Sequence, residues 1–553
     1  MQEESDQSRR SFLKTASGGA GTVGIVALAG CTGGNGDDPD GTPSGGDDVA
    51  QEDRFGGTLN VLIRGNPPNL FSANNGSVAS SQVLSPVGDS WAQYDYEENT
   101  LGPRSLEDWE WLDDTTLQCT VREGMQFHQG YGEVTAEDFV YLTNLIIDEP
   151  LAQFFLWTDR VDGAEVVDDY VFNINLNRTF GPFEFTVLAT TRVHSKAAIE
   201  DRGLQGFGQN PVMNGPYQFE EWVDGSFLRL SRFDDYHGTP GYPDEIVYEI
   251  VPESSTRLDM LSTGEADVAN RAPYRDLDAL DRDEGMQVLS RPGWHFDYML
   301  VGGDGSDVDA LKERPVRRAI SYAIDRQAIV DNAYYGYAVP DDDPLPPTHD
   351  PQLPDGDVEV FPNTADPDTA LQLLDEAGYG DGFEFTLVHS NRTQMARASQ
   401  IVQSSLREVG LDVSLQQVDT ATHGNISTSG NYDVAYGDIT IMSPDADAAT
   451  YWFWHDTGIL NTMGYRGFES ADRVTELLDA QRDTTDQQAR GEMLQELIEL
   501  AVNDAPMIYT LHAEQPRIMR TGVHLDTELL GRDRFAPRDD VWDGLRYVWI
   551  EDR

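Results

Sequence analysis

The sequence predicts an α/β fold that is divided among more than one domain. The chain has 553 residues and is longer than most proteins that fold around one hydrophobic core. Two or three domains are therefore expected. A strand at 383–388, a helix at 396–409 and a strand at 411–418 follow one another. This order is typical of two parallel strands joined by a right-handed crossover helix, the unit from which α/β lobes are built.

A second stretch, 117–142, predicts a strand, a turn and the start of a helix. Apolar and polar residues alternate from Leu117 to Val121, as in a strand with one buried face. Thr135 stands three residues before Asp138. The threonine hydroxyl is therefore expected to cap a backbone N–H at the start of a helix over 136–147.

The remaining elements follow from the same periodicities. Hairpins are expected at 110–117 and 166–176, and a further strand at 432–435. A long amphipathic helix is expected over 472–502. Strands and helices therefore alternate through the second half of the chain, as the α/β prediction requires.

The charge of the chain is extreme. It has 97 acidic and 38 basic residues and a net charge of −59, and its lysines are Lys14, Lys196 and Lys312. Such self-repulsion strains a compact state in dilute buffer, but at about 1 M salt the Debye length falls to roughly 3 Å and screens it. We therefore expect a salt-requiring protein of the haloarchaeal type. Nucleic acid is excluded as a partner, because no basic face exists to neutralise phosphates.

The first 54 residues read as an export signal and a tether. Arg9 and Arg10 precede a short, glycine-rich apolar run that ends in Leu-Ala-Gly-Cys at Cys31. A twin arginine before such a run is typical of an export signal, here assigned to residues 1–31. The final four residues look like a lipobox, in which the Cys31 thiol carries lipid. Residues 32–54 are a flexible acidic linker of Gly, Pro and Asp.

Several blocks of sequence resemble one known family. R-E-G-M-Q-F-H-Q-G at 122–130, followed by V-T-A-E-D-F at 134–139, closely resembles the signature of family 5 of the ABC-transporter solute-binding proteins, the peptide/nickel class. Further resemblances follow in the family's order at 214–219, 264–268, 314–326, 368–379 and 505–509. The resemblance spans about 57–520.

This resemblance implies a two-lobed, periplasmic-binding-protein-like fold of type II, cluster C. The first lobe would be discontinuous and would carry an extra subdomain. The implied boundaries are 55–300 plus 513–553 for the first lobe, about 91–205 for the subdomain and 301–512 for the second lobe. The chain would cross between the lobes near 298–305 and 509–515.

The resemblance also implies a function. The protein would capture a small polar solute between its lobes, with a peptide favoured, and deliver it to an ABC permease. The solute would stabilise the closed state through contacts with both lobes. We expect a monomer without cofactor or metal, held at the extracellular face of the membrane by lipid on Cys31. Alternatives are an oligosaccharide or a nickel chelate as the solute, a secreted hydrolase, and a receptor linked to a sensor.

Candidate solute-contacting residues combine aromatic rings with carboxylates. Rings stack on side chains, sugars or cations, and buried carboxylates hold ammonium groups. The candidates are Asn69 in the loop after the first strand, Trp294, His295 and Phe296 before the expected hinge, and Asp445, Asp447, Trp452 and Trp454 in the second lobe. Peptide-binding members place an acidic residue near 439–442, where this chain has Ile-Thr-Ile-Met. That difference argues against a simple dipeptide as the solute.

Motifs of hydrolases and of local metal sites are absent from the sequence. It contains no G-x-S-x-G elbow, no H-E-x-x-H and no phosphate-binding G-x-x-x-x-G-K-[ST]. None of its ten histidines lies within four residues of another, so the sequence offers no local histidine pair for a metal. His128 belongs to the family's turn and is expected to be a hydrogen-bonding structural residue. A binding protein is thus favoured over an enzyme.

Overall fold

The computed structural model describes residues 51–74, 77–95, 100–148, 157–290, 292–345, 360–441, 443–526 and 543–551. All of these residues belong to one compact unit of the chain. The predicted export signal, Cys31 and the linker up to residue 50 lie outside the described residues. Within the described ranges, every helix is too short or too polar to cross a membrane.

The strands of the described residues form five sheets. In chain order they are β1 Thr58–Ile63, β2 Ala92–Asp95, β3 Thr100–Pro103, β4 Leu106–Asp113, β5 Thr116–Val121, β6 Val161–Asp168, β7 Val171–Leu176, β8 Tyr217–Val223, β9 Phe227–Arg232, β10 Glu245–Ile250, β11 Val268–Asn270, β12 Met286–Leu289, β13 Pro292–Val301, β14 Ala338–Pro340, β15 Glu384–Ser390, β16 Asp412–Val418, β17 Val434–Thr440, β18 Met507–Glu514, β19 Arg517–Arg520, β20 Val523–Leu525 and β21 Val548–Ile550.

The helices cover the faces of the larger sheets. They are α1 Val78–Leu84, α2 Ala136–Asp148, α3 Lys196–Gln209, α4 Ser254–Thr263, α5 Tyr274–Asp281, α6 Arg314–Ala323, α7 Arg326–Ala333, α8 Pro367–Glu376, α9 Thr393–Glu408, α10 Thr420–Ser429, α11 Ala446–Trp454, α12 Ala471–Arg482 and α13 Gln487–Asp504. Short 3-10 helices occur at Gln51–Arg54, Ser72–Asn74, His128–Gly130, Asp309–Lys312, Tyr465–Gly467 and Asp543–Tyr547. A short π-helix occurs at Glu184–Leu188.

The first large sheet has seven strands in the order β12-β19-β11-β1-β10-β9-β8. Strand β1 pairs in parallel with both β10 and β11. Strand β19, which comes from near the C-terminus, inserts antiparallel between β11 and β12. The lobe built on this sheet is therefore discontinuous in sequence, as the family resemblance implied.

The second large sheet has six strands in the order β14-β18-β13-β17-β15-β16. Strands β15 and β16 are parallel and are joined by α9, which confirms the strand–helix–strand prediction for 383–418. Strand β17 pairs in parallel with β15 and antiparallel with β13. The predicted apolar face of α6, with Val316 and Ile320, lies in the same buried cluster as Met299 and Leu300 of β13. This sheet and its helices form the second lobe.

A smaller sheet, in the order β4-β5-β7-β6, carries the stretch that begins at 117. Leu117, Cys119 and Val121 are fully buried, and the residues between them are half-buried, which confirms the predicted alternation. Helix α2 follows as predicted. Its Phe139 ring stacks on Phe172 of β7, with a centroid distance of 5.2 Å, because helical spacing directs this apolar face onto the sheet.

The side chain that accepts backbone N–H groups at the start of α2 is Asp138, not Thr135 as predicted. The Asp138 carboxylate accepts the backbone N–H of Thr135 at 3.1 Å and the backbone N–H of Lys196 at 3.0 Å. The Thr135 hydroxyl donates to the same carboxylate at 3.4 Å rather than capping a backbone N–H. Burial raises the pKa of Asp138 to about 6, because desolvation penalises the charged form.

His128 has the structural role that was predicted for it. The imidazole is fully buried, and its Nε2 lies 2.9 Å from the carbonyl oxygen of Gly215. Desolvation lowers its pKa to about 4, so the ring is neutral over the physiological range. The contact joins the turn before α2 to the loop that enters β8.

The chain passes between the two large sheets at two places that lie side by side. Strand β12 pairs with β19, and Leu289 lies opposite Arg517. Strand β13 pairs with β18, and Pro292 lies opposite Glu514. We call this continuous pair of strands the hinge ribbon. The first crossing therefore falls between 289 and 292, not at 298–305 as predicted, because β13 extends to Val301 within the second sheet.

The long helix predicted over 472–502 is two helices. Helix α12 ends at Arg482, and α13 begins at Gln487. The Asp486 carboxylate caps α13 by accepting the backbone N–H groups of Gln488 and Ala489 at 3.0 and 3.1 Å. Periodicity alone missed this break, because a side-chain cap satisfies the new helix start without interrupting the apolar pattern.

We predict that the folded chain loses stability as salt is removed. The net charge of −59 repels itself over about 10 Å at 0.1 M salt but over only about 3 Å at 1 M. The midpoint of thermal unfolding, followed by circular dichroism, is expected to rise steeply with KCl concentration. Sucrose serves as the uncharged control, because it favours burial without screening charge. Equal stabilisation by sucrose alone would contradict the electrostatic explanation.

Candidate functional site

Both large sheets direct the same ends of their parallel strands toward the hinge ribbon. Strands β1, β10, β11 and β12 run in one direction, so their carboxyl ends lie where β12 leaves the first sheet. In the second sheet, β15 and β17 run antiparallel to β13, so their carboxyl ends lie where β13 enters. In open α/β sheets, ligands bind outside the carboxyl ends of the strands. The space beside the two crossings is therefore the candidate site.

A polar cluster lies at the carboxyl end of the second sheet. His295 of β13 lies opposite Thr440 of β17, and its Nδ1 is 2.9 Å from the threonine hydroxyl oxygen. Its Nε2 lies 3.3 Å from a carboxylate oxygen of Asp438. Arg392, which follows β15, forms a bidentate ion pair with the same Asp438 carboxylate. The predicted candidate His295 thus lies at this end of the sheet, within a charged network that sequence reasoning did not identify.

A second acid, Asp297, lies beside this cluster. Its carboxylate is fully buried, and its Oδ2 accepts the hydroxyls of Tyr334 at 2.6 Å and Tyr436 at 3.1 Å. Its Oδ1 has no hydrogen-bond partner among the described residues. Burial raises the pKa of Asp297 to about 7, although the two tyrosine hydroxyls and the nearby Arg392 lower it.

The predicted aromatic candidates lie in the core of the second lobe. Trp294, Phe296, Trp452 and Trp454 are each at most 5% exposed. Trp294 lies 6.3 Å from the ring of Tyr94, which belongs to β2. Phe296 packs edge-on against other rings of the second lobe. The three tryptophans and Phe296 share one buried cluster, so packing explains most of their surface.

The carboxylates of Asp445 and Asp447 are held by arginines. Asp447 forms a bidentate pair with Arg482, at 2.9 and 3.0 Å, and Asp445 accepts from Arg490 at 2.8 and 3.1 Å. All four side chains are buried. Removing one member of such a pair leaves a buried charge uncompensated. A solute ammonium group would therefore have to displace an arginine, and we assign both aspartates to holding α12 and α13 beside α11.

Asn69 stabilises its own loop. Its side-chain oxygen accepts the backbone N–H of Phe71 at 2.9 Å, and its backbone carbonyl accepts the hydroxyl of Ser80 at 2.6 Å. This is the pattern of an asparagine turn. The loop after β1 does lie at the carboxyl end of the first sheet, but these contacts are those of a turn residue.

A set of buried polar atoms lies in β11, β18, α11 and the second crossing; sequence reasoning named Trp452 and Trp454 of this set and missed the other residues. These atoms have no hydrogen-bond partner among the described residues. They belong to Asn270 (Oδ1), Gln515 (both amide atoms), Tyr509 (hydroxyl), Trp452 (Nε1) and Trp454 (Nε1). Buried polar groups are almost always paired in native proteins, so these atoms are candidates for contacts with a bound molecule. Asn270 ends β11 and Gln515 lies in the second crossing, a position that only the sheet order reveals.

One group of metal-ligand side chains is assembled in the described part of the chain. Atoms of Asp341, Asp343 and His512 lie within 4.8 Å of one another. The Nε2 of His512 contacts the backbone carbonyl oxygen of Asp343 at 3.3 Å. A ring nitrogen that contacts a carbonyl oxygen carries the proton and has no lone pair to offer a metal. The group is therefore explained by internal hydrogen bonding.

Comparison with known proteins places this arrangement in a family. Residues 100–461 match the family described as bacterial extracellular solute-binding proteins, family 5. The glutathione-binding protein GsiB of Pectobacterium atrosepticum is 30% identical over 311 residues, which are 56% of this chain and 59% of that protein. The match therefore spans somewhat more than half the length of this relative.

Two solved structures have the same fold. The periplasmic binding protein DppA from Helicobacter pylori, in complex with the peptide STSA, superposes with a TM-score of 0.76 at 21% identity, over 91% of this chain and 99% of that chain. NikA from Staphylococcus aureus, in complex with Ni(L-His)2, superposes with a TM-score of 0.71 at 18% identity, over 89% and 100%. The chain therefore belongs to family 5 of the extracellular solute-binding proteins and has the two-lobed periplasmic-binding-protein-like fold.

Proposed function

We propose that the protein captures a peptide between its two lobes at the hinge ribbon and delivers it unchanged to an ABC permease. The observation that carries this proposal is the set of buried, unpartnered polar atoms around the ribbon. The set mixes acceptors, such as Asn270 Oδ1, with donors, such as the indole N–H groups of Trp452 and Trp454. Peptide groups present both a C=O and an N–H, so a peptide backbone satisfies both kinds.

The carboxylates near the site favour one position for a solute ammonium group. Asp438, Asp445 and Asp447 are each paired with an arginine. The Oδ1 atom of Asp297 accepts no hydrogen bond from the described residues, and the Nε2 of His295 lies 3.9 Å from it. A cationic amino group beside that oxygen would favour the ionised form of Asp297 and would itself be held by it. We propose Asp297, in place of the predicted Asp445 and Asp447, as the acidic contact for the amino group of the peptide.

The nickel and sugar alternatives have weaker support. A nickel–histidine chelate was bound to the structural neighbour NikA, whereas the protein DppA was bound to a peptide and the relative GsiB is named for binding glutathione, itself a peptide. The buried amide of Gln515 and the carboxylate of Asp297 suit a peptide that carries both charged and amide groups. A hydrolase is the competitor from another functional class.

A solute screen tests binding against turnover. Full-length protein in molar KCl would be heated with glutathione, Ser-Thr-Ser-Ala, maltotriose or nickel with histidine. A peptide at a hundredfold excess over its Kd is expected to add about 2.7 kcal/mol of stability, and chromatography is expected to recover it intact. Stabilisation by the sugar or the nickel chelate alone would overturn the peptide assignment. Consumption of any probe would show an enzyme.

Membrane attachment is part of the same proposal. We propose that the twin arginine directs export and that lipid on Cys31 anchors the protein at the outer face of the membrane. In the native host, the full-length chain is expected in the membrane fraction and the Cys31→Ser variant in the medium. Detergent partitioning with immunoblotting measures both. Equal membrane retention of the two proteins would refute the lipid anchor.

The raised pKa of Asp297 predicts a pH dependence of stability. The pKa of Asp297 is about 7 in the folded protein and about 4 in the unfolded chain. Between these values the unfolded chain releases a proton that the folded chain keeps, so stability falls as pH rises from about 4 to about 7. Asp297→Asn is expected to remove that part of the fall.

The comparison requires urea unfolding in molar KCl at about pH 5 and about pH 8. The exposed Asp412, substituted as Asp412→Asn, is the control and is expected to keep the pH dependence of the parent. A parent and an Asp297→Asn variant with identical pH dependence would show that Asp297 is not the titrating group.

A further inference from the structure

A loop of the first lobe meets the break between α12 and α13 through short, direct contacts. The backbone N–H of Gly181 donates to the carbonyl oxygen of Arg482 at 2.7 Å. Arg160, which precedes β6, donates through Nη1 to a carboxylate oxygen of Asp483 at 2.6 Å. The Phe180 ring centre lies 5.0 Å from the guanidinium carbon of Arg482. We call these the closure contacts, because they join residues of the two lobes outside the hinge ribbon.

The fit at Gly181 leaves no room for a side chain. A Cβ at this position would overlap the backbone carbonyl oxygen of Thr484, and it would lie 2.8 Å from Cδ of Arg490. Backbone atoms of both lobes are therefore as close as two chains can pack. A glycine is required here by the approach of the other lobe, not by its own backbone angles.

Each partner is held in position by its own lobe. Arg482 is paired with Asp447, and its guanidinium carbon lies 3.5 Å from the ring centre of Tyr451. Arg160 is fully buried and also donates to the backbone carbonyl of Thr179 at 3.1 Å. Each arginine has contacts within its own lobe that do not depend on the other lobe, which limits the side-chain entropy lost on contact. Contacts of this kind are favourable even when no solute contributes to them.

We propose that the closure contacts stabilise the closed form in the absence of solute, so that Arg160, Gly181 and Asp483 set the affinity from outside the solute site. The inference rests on the proposed function, in which the lobes close around a solute. A solute that binds the closed form has an apparent Kd equal to its intrinsic Kd divided by the closed fraction. Contacts that raise this fraction tighten binding of every solute by the same factor.

The contacts also suit a chain with this charge. At about 1 M salt, repulsion between two acidic lobes is screened beyond roughly 3 Å. The hydrogen bond from Gly181 to Arg482 joins two neutral backbone groups and is not screened, whereas salt weakens the pairing of Arg160 with the half-exposed Asp483. Molar salt therefore removes the long-range opposition to closure and leaves the backbone hydrogen bond.

A distance measurement without solute tests the proposal. Nitroxide labels are attached at Leu112→Cys and Leu371→Cys, two exposed sites on different lobes. Double electron–electron resonance in molar KCl then measures the distance between the labels, and so the separation of the lobes. The full-length chain would carry Cys31→Ser, and Cys119 is buried and does not label. A predominant short-distance population is expected in the solute-free protein.

Two variants weaken the closure contacts in different ways. Gly181→Ala introduces the overlapping Cβ, and Asp483→Asn removes the charge of a half-exposed residue without adding bulk. Each is expected to lower the ratio of closed to open protein by about tenfold, or about 1.4 kcal/mol at 25 °C. Gly424→Ala is the matched control, because its Cβ would meet no atom within 4 Å, and it is expected to leave the ratio unchanged.

Unchanged distances in both variants, with normal unfolding midpoints, would overturn the proposal. A short-distance population lost only on Gly181→Ala would also overturn the role of Arg160 and Asp483. Because no solute is present, these outcomes are independent of the solute screen. The proposed function fails if no peptide binds, whereas the closure contacts fail if the distances do not respond.

Discussion

The hinge ribbon is the constraint on which the rest of the structure depends. Strands β12 and β19 pair in one sheet, and their continuations β13 and β18 pair in the other. Hydrogen bonding between the two chain segments fixes the crossings side by side. Because the ribbon enters each sheet at the carboxyl ends of its parallel strands, those ends face the same space. The position of the candidate site follows from the pairing of four strands.

The sequence predicts the local elements well, because each depends on a pattern within a short window. The alternation from Leu117 to Val121 and the apolar face of α6 need only their own residues to be interpreted. The hinge was misplaced, since β13 continues ten residues beyond the crossing and no local pattern shows to which sheet a strand belongs. The break after Arg482 was missed because Asp486 caps the new helix while the apolar periodicity continues across the break.

The site residues were the least predictable part. Asp445 and Asp447 have the composition of a ligand contact, yet their carboxylates are paired with arginines 45 and 35 positions away. Asp297 and Gln515, which we propose as solute contacts, carry no motif, and the proposal rests on atoms that the fold buries without a hydrogen-bond partner among the described residues. Whether a buried polar group is satisfied depends on distant residues, so only the three-dimensional arrangement separates structural from solute-facing groups.

Several arginines of this acidic protein are buried. Arg160, Arg317, Arg326 and Arg482 are among its largest fully buried side chains, and lysine is nearly absent from the sequence. A guanidinium donates several hydrogen bonds in one plane and is weakly hydrated, so it is suited to burial against carbonyls and carboxylates. Arg326, for example, donates to the backbone carbonyls of Tyr509 and Ser321. Arginine thus connects elements from within while the acidic surface keeps the protein soluble.

The position of β19 has a consequence for the order of synthesis. This strand lies between β11 and β12, so a ribosome must complete about residue 520 before the first sheet can close. Pairing partners separated by hundreds of residues form slowly, so the first sheet is completed late in folding. The proposed twin-arginine export of a folded chain would require that step to be complete, because the hinge ribbon is assembled only when this late strand has paired.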